Sequence, residues 1–242
     1  MIFRQLIDPE TSSYSYLLAD ERTREAALID PVLEQIERDC TLLDELGLWL
    51  HCVLETHVHA DHVTASGRLR RRLGARIGAG AGAGVRNADW ALLHGQCLRV
   101  GDLRLEVRAT PGHTAGCLTY CVPEAAMAFT GDALLVRGCG RTDFQEGDAE
   151  TLFRSVRDQI FSLPDATLLY PAHDYHGRTV STVAEEKRFN PRLGLRVSME
   201  EFREIMAQMD LAAPKRIAVA VPANLESGLA SCPVQEGCHD VP

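Results

Sequence analysis

The sequence lacks the features of an exported, membrane-bound or nucleic-acid-binding chain. It has no run of about twenty apolar residues, the length that crosses a bilayer. The first residues, from Met1 to Leu6, lack the basic and apolar regions of a secretory signal. Positive charge is in deficit, with a formal net charge of -9, so that polyanions would be repelled on average. We therefore expect a cytoplasmic protein with neither a membrane nor a nucleic-acid partner.

Cysteine pairs with the spacing of a redox or zinc motif are also missing. None of the eight cysteines belongs to a Cys-x-x-Cys pair, which argues against a zinc ribbon and a thioredoxin-like motif. Cys52, Cys117 and Cys121 lie in apolar runs of a chain without an export signal, so we expect buried reduced thiols. Cys139, between two glycines, is the one cysteine that we consider for a role in a site.

Length and composition predict one domain spanning residues 1–242. At 242 residues and 45% hydrophobic, the chain can bury a substantial core, and no linker divides it. The last stretch, about residues 225–242, contains Pro and Gly together with Cys232 and Cys238. We expect this stretch to be a mobile tail.

Hydrophobic periodicity predicts an α/β chain. Strands are expected over residues 3–7, 14–19, 26–30, 49–54, 107–111, 126–130 and 167–171. Helices are expected over residues 33–46, 62–73 and 148–161, with a last one over 199–209. The alternating Gly and Ala residues at 78–84 lack the Gly-Lys-Ser/Thr of a phosphate loop and predict a small-residue turn.

Three histidines and one aspartate follow the strand predicted over residues 49–54, in the stretch Thr56-His57-Val58-His59-Ala60-Asp61-His62. Imidazole and carboxylate are ligands of divalent ions, and residues two apart in an extended chain point the same way. We therefore predict a metal site rather than a solvated histidine-rich loop. Asp61 has a structural alternative, because it could cap the helix predicted over residues 62–73.

Three more candidate ligands follow later strand-like runs. They are His113 after residues 107–111, Asp132 after 126–130 and His173 after 167–171. Loops at strand ends, carried by a rigid scaffold, are where catalytic groups are usually found. Each group is therefore expected at one rim of a sheet.

The combined pattern resembles the metallo-β-lactamase superfamily. It consists of His-x-His-x-Asp-His, then Gly-His-Thr, Gly-Asp and a late His, and it covers most of the chain. The resemblance implies an αββα sandwich, in which two mixed β-sheets lie face to face, helices flank them and the metal lies at one edge. It does not imply a reaction, because the superfamily includes lactamases, thioester hydrolases, lactonases, nucleases and oxygen-using enzymes.

The segment from Gly131 to Gln145 narrows the resemblance. It reads Gly-Asp-Ala-Leu-Leu-Val-Arg-Gly-Cys-Gly-Arg-Thr-Asp-Phe-Gln and is similar to the signature of persulfide dioxygenases, or sulfur dioxygenases, which are related to glyoxalase II. Residues 171–175, 185–191 and 221–224 resemble that family too. Too few residues follow Pro191 for the helical C-terminal domain of glyoxalase II.

The resemblance implies one iron(II) per chain, bound by His57, His113 and Asp132, which are then the catalytic residues. Such a set of two histidines and one carboxylate leaves adjacent positions open for a substrate sulfur and dioxygen. The implied reaction oxidises glutathione persulfide with O2 and water to sulfite and glutathione. Iron would supply the redox chemistry and the protein the orientation.

The resemblance also implies roles for the residues around the metal. Arg141 and Tyr175 would bind glutathione, the former through its planar guanidinium fork. We expect Cys139 at the substrate entrance. The remaining polar residues would orient the ligands or support the loops by hydrogen bonding. These residues are His59, Asp61, His62, His173 and Asp174.

Two alternatives stay open at this point. In the hydrolytic branches His59 helps to hold the first metal, while Asp61, His62 and the late His173 hold a second one. All four residues are present here, so composition alone is also compatible with a dinuclear zinc thioester hydrolase. A weaker alternative is a non-catalytic metal-binding scaffold. Family resemblance further suggests a homodimer.

Overall fold

A computed structural model describes residues 1–229, and within them twelve strands and six helices form. The strands are β1 (Ile2–Asp8), β2 (Ser13–Ala19), β3 (Glu25–Ile29), β4 (Trp49–Leu54), β5 (Arg76–Gly80), β6 (Trp90–Leu92), β7 (Cys97–Val100), β8 (Leu103–Ala109), β9 (Leu118–Val122), β10 (Met127–Gly131), β11 (Leu168–Pro171) and β12 (Ser181–Thr182). The helices are α1 (Ile36–Glu45), α2 (Ser66–Leu73), α3 (Ala149–Ser155), α4 (Val183–Phe189), α5 (Met199–Ala207) and α6 (Ile217–Asn224).

The strands form two mixed sheets of six strands each. The first has the order β1-β2-β3-β4-β5-β6, antiparallel up to β3 and parallel beyond it. The second has the order β12-β11-β10-β9-β8-β7, and only β10 and β11 are parallel. The predicted sandwich of two mixed sheets with flanking helices is confirmed.

Alternation along the strands places the core between the sheets. In β2, Tyr16 and Leu18 face the second sheet, whereas Leu17 faces the helices. This is the two-residue period of a strand buried on both faces. Tyr16 meets Phe129 of β10 with ring centroids 4.9 Å apart, a distance at which aromatic pairs stabilise a core beyond their buried area. This contact therefore joins the two sheets at β2 and β10, close to the loop after β10.

Helices cover the outer faces of both sheets. Cys40 and Leu43 of α1 and Leu69 of α2 pack on the first sheet. Leu152 of α3 and Phe202 of α5 pack on the second. The side chain of Asp148 caps α3 by accepting a hydrogen bond from the Thr151 amide, and α4 and α5 begin with capping boxes.

Three helix predictions were only partly right. The helix expected from residue 62 begins at Ser66 with Ala65 as its N-cap, so Asp61 does not cap it. The helix over residues 199–209 is not the last, because α6 follows it. That helix is apolar on most sides and has Pro222 in its interior, so its sequence carries neither an amphipathic period nor a helix-forming signature. The helix expected over 148–161 is α-helical to Ser155 and continues as a π-helical turn (Val156–Ile160).

The predicted small-residue turn at 78–84 was also partly wrong. Its first residues belong to β5, and only Ala81–Ala83 form a 3-10 turn. A Cβ on Gly80 would lie 2.2 Å from the Gly116 carbonyl oxygen, so glycine is needed there for a close approach of two backbones. Small residues therefore mark a packed strand at this point as well as a turn.

The C-terminal end of the described chain packs against α2. Gly67 donates its amide to the Ser227 carbonyl at 2.8 Å, and Arg86 donates to the Leu225 carbonyl at 2.9 Å. Residues 230–242, which hold Cys232, Cys238 and most of the predicted mobile tail, lie outside the described residues. Among residues 1–229, no helix combines the length and apolar character needed to cross a bilayer.

Candidate metal centre

The loops that follow four strands meet at one edge of the sandwich. The loop after β4 carries His57, and the loops after β8, β10 and β11 carry His113, Asp132 and His173. One potential ligand atom from each of His57, His113 and Asp132 lies within 4.8 Å of the other two. The structure therefore brings together the three residues for which iron binding was predicted.

Thr56 and Asp30 fix the orientation of the His57 ring. The Thr56 hydroxyl donates to Asp30 Oδ2 at 2.6 Å, so it must accept at its oxygen from His57 Nδ1, which is 2.9 Å away. Burial and the neighbouring His59 hold the pKa of His57 well below its usual value. The ring is therefore neutral, with its proton on Nδ1 and a free lone pair on Nε2.

His113 is oriented in the same way by a main-chain oxygen. Its Nδ1 donates to the Arg141 carbonyl at 2.7 Å, which leaves Nε2 free at 3.7 Å from Asp132 Oδ2. The preceding Gly112 has φ of 127°, and a Cβ there would lie 2.2 Å from the Leu152 amide nitrogen. Only glycine allows this loop to press against the start of α3 and deliver His113 to the site.

Asp132 presents one oxygen to the site and the other to His173. Its Oδ1 accepts a hydrogen bond from His173 Nδ1 at 2.7 Å. Burial alone would raise the pKa of Asp132, but the charge and the hydrogen bond of His173 lower that pKa below its usual range. The carboxylate is therefore ionised, as a metal ligand must be.

His173 uses both ring nitrogens in hydrogen bonds to carboxylates. Its Nε2 is 3.1 Å from Asp61 Oδ2, and its Nδ1 binds Asp132. Burial disfavours the charged ring, yet Asp132 and Asp61 raise the pKa of His173 well above its ordinary value. Both ring nitrogens are therefore engaged by carboxylates, so that His173 forms a hydrogen-bonded bridge between Asp132 and Asp61.

His59, Asp61 and His62 form a second group beside the first, with one potential ligand atom from each within 4.8 Å of the others. Asp61 Oδ2 accepts hydrogen bonds from the Ser13 hydroxyl at 2.9 Å, from His62 Nδ1 at 2.9 Å and from His173. This oxygen is therefore saturated by neighbours within the protein.

A pair of buried carboxylates lies behind His59. His59 Nε2 is 3.2 Å from Asp30 Oδ1 and 3.6 Å from Glu55 Oε2. Burial raises the pKa of Glu55 to about 7, and the Asp30 charge adds to this effect. Burial opposes the charged form of His59, but Asp30, Asp61 and Glu55 raise its pKa to about 9. Asp30 follows β3 at the same edge as the predicted ligands, so the strand-end rule would have found it.

The site opens into a cavity of about 500 Å³ whose walls carry four arginines. Arg137, Arg141 and Arg178 are each paired with a carboxylate, namely those of Glu186, Asp143 and Asp174. Arg192 has no carboxylate partner among residues 1–229 and donates to the Cys139 carbonyl at 3.2 Å. Sequence reasoning did not single out Arg192, although it directly follows the 185–191 segment that resembles the family.

The predicted glutathione contacts all line this cavity but differ in their surroundings. The Tyr175 side chain is exposed and stacks on His173 with ring centroids 6.0 Å apart. The Cys139 thiol is buried 3.8 Å from Met206 Sδ, and this burial raises its pKa to about 11. Asp174 supports its loop by accepting hydrogen bonds from the His176 and Arg178 amides at 2.8 and 2.7 Å.

Known proteins resemble this chain over most of its length. A family model described as the metallo-beta-lactamase superfamily matches residues 8–173. The mitochondrial persulfide dioxygenase ETHE1 of cattle (Bos taurus) is 51% identical over 233 residues, which cover 96% of this chain and 91% of the relative. The human (Homo sapiens) protein of the same name is 51% identical over 229 residues, covering 95% and 89%. The crystal structure of ETHE1 from Myxococcus xanthus has a TM-score of 0.92 and 54% identity, covering 94% of this chain and 100% of that one.

The names of these relatives correct one expectation and settle the family. The expected cytoplasmic location is contradicted, because the cattle and human relatives are mitochondrial proteins. The expectation rested on a missing secretory signal, and that absence does not specify a compartment. Family model, relatives and solved structure agree on the kind of protein. The chain belongs to the metallo-beta-lactamase superfamily and, within it, to the persulfide dioxygenase family.

Proposed function

We propose that this protein is a single-domain iron(II) persulfide dioxygenase that converts glutathione persulfide, O2 and water into glutathione and sulfite. One observation carries the proposal. His57, His113 and Asp132 converge at the floor of a large cavity, and the hydrogen bonds behind both histidines leave their Nε2 lone pairs free. The relatives named as persulfide dioxygenases support the reaction class.

The donor set fits iron(II). Two neutral imidazoles and one ionised carboxylate are the ligands of non-haem iron oxygenases, which keep further positions open for substrate and dioxygen. When bound, iron(II) would supply the redox chemistry that makes dioxygen reactive towards sulfur. The chain supplies the fixed orientation of the ligands, through Thr56 behind His57 and the Arg141 carbonyl behind His113.

The neighbouring group supports one metal rather than two. In the hydrolytic branches of the superfamily, a second ion is held by the residues that correspond to Asp61, His62 and His173. Both nitrogens of His173 are committed to carboxylates, and Asp61 Oδ2 already accepts three hydrogen bonds. These contacts give His173 the role of holding Asp132 in place, so that Asp132 turns Oδ2 towards His57 and His113.

The cavity walls support a charged, peptide-like persulfide as the substrate. Glutathione carries carboxylates, and the Arg192 guanidinium is the cavity cation that lacks a carboxylate partner among residues 1–229. We propose that Arg192 binds one of these carboxylates and that Tyr175, exposed at the mouth, covers the peptide. The entrance role of Cys139 remains a prediction, with its buried thiol beneath the surface rather than at it.

The reaction balances without any group beyond those named. One persulfide, one O2 and one water give one glutathione, one sulfite and two protons. The bond between the two sulfurs breaks, the terminal sulfur is oxidised to sulfite with dioxygen as the electron acceptor, and the inner sulfur leaves as a thiol. The chain must therefore hold the terminal sulfur over the free edges of His57, His113 and Asp132, while Arg192 holds the peptide end. Correct placement of two reactants in this way accounts for much of an enzyme's acceleration.

Oxygen uptake tests the proposal directly. Protein loaded with iron(II) under anaerobic conditions receives glutathione persulfide in air-saturated buffer, and sulfite is quantified in the same vessel. We expect one sulfite per O2 consumed and loss of both signals in His113→Ala. The matched control is His94→Ala, at an exposed histidine that does not line the cavity, and it should behave as the wild type.

Two other results would replace the proposal. Hydrolysis of S-lactoylglutathione by zinc-loaded protein, without oxygen uptake by iron-loaded protein, would identify a dinuclear thioester hydrolase. Failure to retain either metal would identify a non-catalytic scaffold. The homodimer that family resemblance suggests is a separate proposal, and light scattering on the purified protein gives its mass.

A further inference from the structure

The cavity has one apolar wall, which lies outside the regular elements. Residues 209–214, here called the wall segment, connect α5 to α6, and Met209, Leu211, Ala212 and Pro214 face the cavity. Leu211 is 50% exposed. An exposed apolar surface beside a polar site is suited to contact with the uncharged part of a substrate.

Arg141 fastens this wall. Its Nη1 donates to the Ala212 carbonyl at 2.7 Å, and its Nη2 donates to the Leu211 carbonyl at 3.0 Å. Among residues 1–229, these are the hydrogen bonds that join residues 210–213 to the rest of the protein. The middle of the wall segment, residues 210–213, therefore depends on one side chain for its polar attachment.

The Arg141 guanidinium is itself held rigidly. Its Nε and Nη2 donate to the two Asp143 oxygens at 2.6 and 2.7 Å, and its plane lies over the Phe144 ring at 4.5 Å. The fork thus makes four hydrogen bonds within the protein. The paired N–H groups that would grip a substrate carboxylate are already in use.

The same residue supports a metal ligand through its main chain, because the Arg141 carbonyl accepts the His113 Nδ1 proton. A side-chain substitution keeps that carbonyl in place. The attachment of the wall can therefore be changed without removing the hydrogen bond behind His113.

We infer that Arg141 is a positioning residue that fastens the wall segment beside the substrate, and that it does not itself bind glutathione. The wall then sets the width of the cavity for the uncharged part of the persulfide. The inference rests on the proposed function for the identity of the substrate, whereas the attachment of the wall can be measured without any substrate.

Limited trypsin digestion of the substrate-free full chain measures that attachment. Lys215 is exposed directly after the wall segment, while its neighbour Arg216 is paired with Glu34 at 2.7 Å. Removing two charged hydrogen bonds should raise the open population of the segment about tenfold or more. We expect Arg141→Gln to be cut after Lys215 at least about 10-fold faster than the wild type, as read by mass spectrometry.

Arg22→Gln is the matched control. Arg22 also makes a two-pronged ion pair with an aspartate, Asp102, but far along the chain from the cavity residues. Trypsin should cut the Arg22→Gln variant after Lys215 at the wild-type rate. Asp143→Asn provides a second route if Arg141→Gln does not fold, and it should give an intermediate rate because it loosens the fork. Wild-type rates in both Arg141→Gln and Asp143→Asn would overturn the inference.

Steady-state kinetics separate a fastened wall from a direct substrate contact. For Arg141→Gln we expect KM for glutathione persulfide to rise about 10-fold with kcat within about 2-fold, and the iron content to be unchanged. The same KM increase is expected for a persulfide without carboxylates, since the wall acts on the uncharged part. A KM change confined to glutathione persulfide would instead identify Arg141 as a carboxylate ligand. A further outcome is that the wild type lacks dioxygenase activity while trypsin still cuts Arg141→Gln faster after Lys215. In that case the proposed function fails, but the attachment of the wall segment by Arg141 is supported.

Discussion

Thr56 decides which nitrogen of His57 faces the metal. Its hydroxyl hydrogen-bonds both the ring Nδ1, at 2.9 Å, and the Asp30 carboxylate, at 2.6 Å. Thr56→Val keeps the shape of the side chain and removes both hydrogen bonds. We expect metal affinity to fall about 10- to 100-fold, measured by competition with a chelator.

Thr56→Ser retains the hydroxyl and is the control for that experiment. It should keep most of the affinity, because the relay from His57 to Asp30 is intact. Equal affinity of the Val and Ser variants would mean that packing alone orients His57.

For Arg192 the prediction concerns substrate binding rather than metal binding. Arg192→Gln should raise KM for glutathione persulfide about 10-fold, the loss of about 1.4 kcal/mol of binding. Arg188→Gln is the control, because Arg188 stacks on Phe189 and does not line the cavity. A persulfide without carboxylates should not distinguish Arg192→Gln from the wild type. A raised KM of Arg192→Gln for that persulfide would mean that Arg192 has a structural role.

Sequence reasoning found the residues that a local rule can reach. His57, His113, Asp132 and His173 each follow a strand-like run, so their meeting at one edge could be predicted. Ser13 could not be found in this way, because it is 160 residues from His173 and lies in a strand of the other sheet. Nor could the sequence reveal that Arg141 is hydrogen-bonded to the wall segment, since its acceptors at 211 and 212 are main-chain carbonyls with no sequence signature.

Among the secondary-structure elements, the start of α3 supports the loop that carries His113. Asp148 caps α3 through the Thr151 amide at 2.7 Å, and its own amide donates to the Gly112 carbonyl at 2.9 Å. Asp148→Ala should lower the free energy of unfolding by about 1 kcal/mol at pH 7, measured by urea denaturation. Asp148→Asn, which can still cap, should lose less.

The pH dependence of this cap follows from its pKa. The hydrogen bonds from Thr151 lower the pKa of Asp148 below 3.8. A lowered pKa in the folded state means that the cap stabilises fully above the ordinary pKa and is lost as the pH falls through the folded value. The difference between wild type and Asp148→Ala should therefore shrink towards pH 3. A difference that is constant with pH would assign the effect to helix propensity.

Element boundaries were predictable where local and tertiary preferences agree. β4 was predicted at its observed bounds, since an apolar run ends there in the polar ligand loop. The start of α2 was not predicted correctly. Aspartate is a common helix-capping residue, but the Asp61 carboxylate instead accepts hydrogen bonds from Ser13, His62 and His173. α6 was missed because it is apolar on its exposed side, at Val219, as well as on the side of Ala220 and Ala223 that packs on Val63. A short apolar run with an internal proline carries no helical signal.

For the whole molecule, the number of bound metal ions per chain distinguishes the proposed dioxygenase from a dinuclear hydrolase. We expect one iron per chain by elemental analysis, retained by His62→Ala and lost from His113→Ala. A dinuclear enzyme would hold two metals and lose one of them in His62→Ala. Removal of iron with a chelator should lower Tm by about 5–10 °C, if iron is present at about 100 times its Kd.

The ligand set draws on both sheets of the sandwich. His57 follows β4 of the first sheet, whereas His113 and Asp132 follow strands of the second, and Ser13 of β2 meets His173 behind them. Neither sheet alone supplies His57, His113 and Asp132, so this set of ligands is complete only after the two sheets have docked. On the proposed function we therefore expect metal loading to follow the docking of the two sheets, so that the ion stabilises a folded sandwich rather than initiating its assembly.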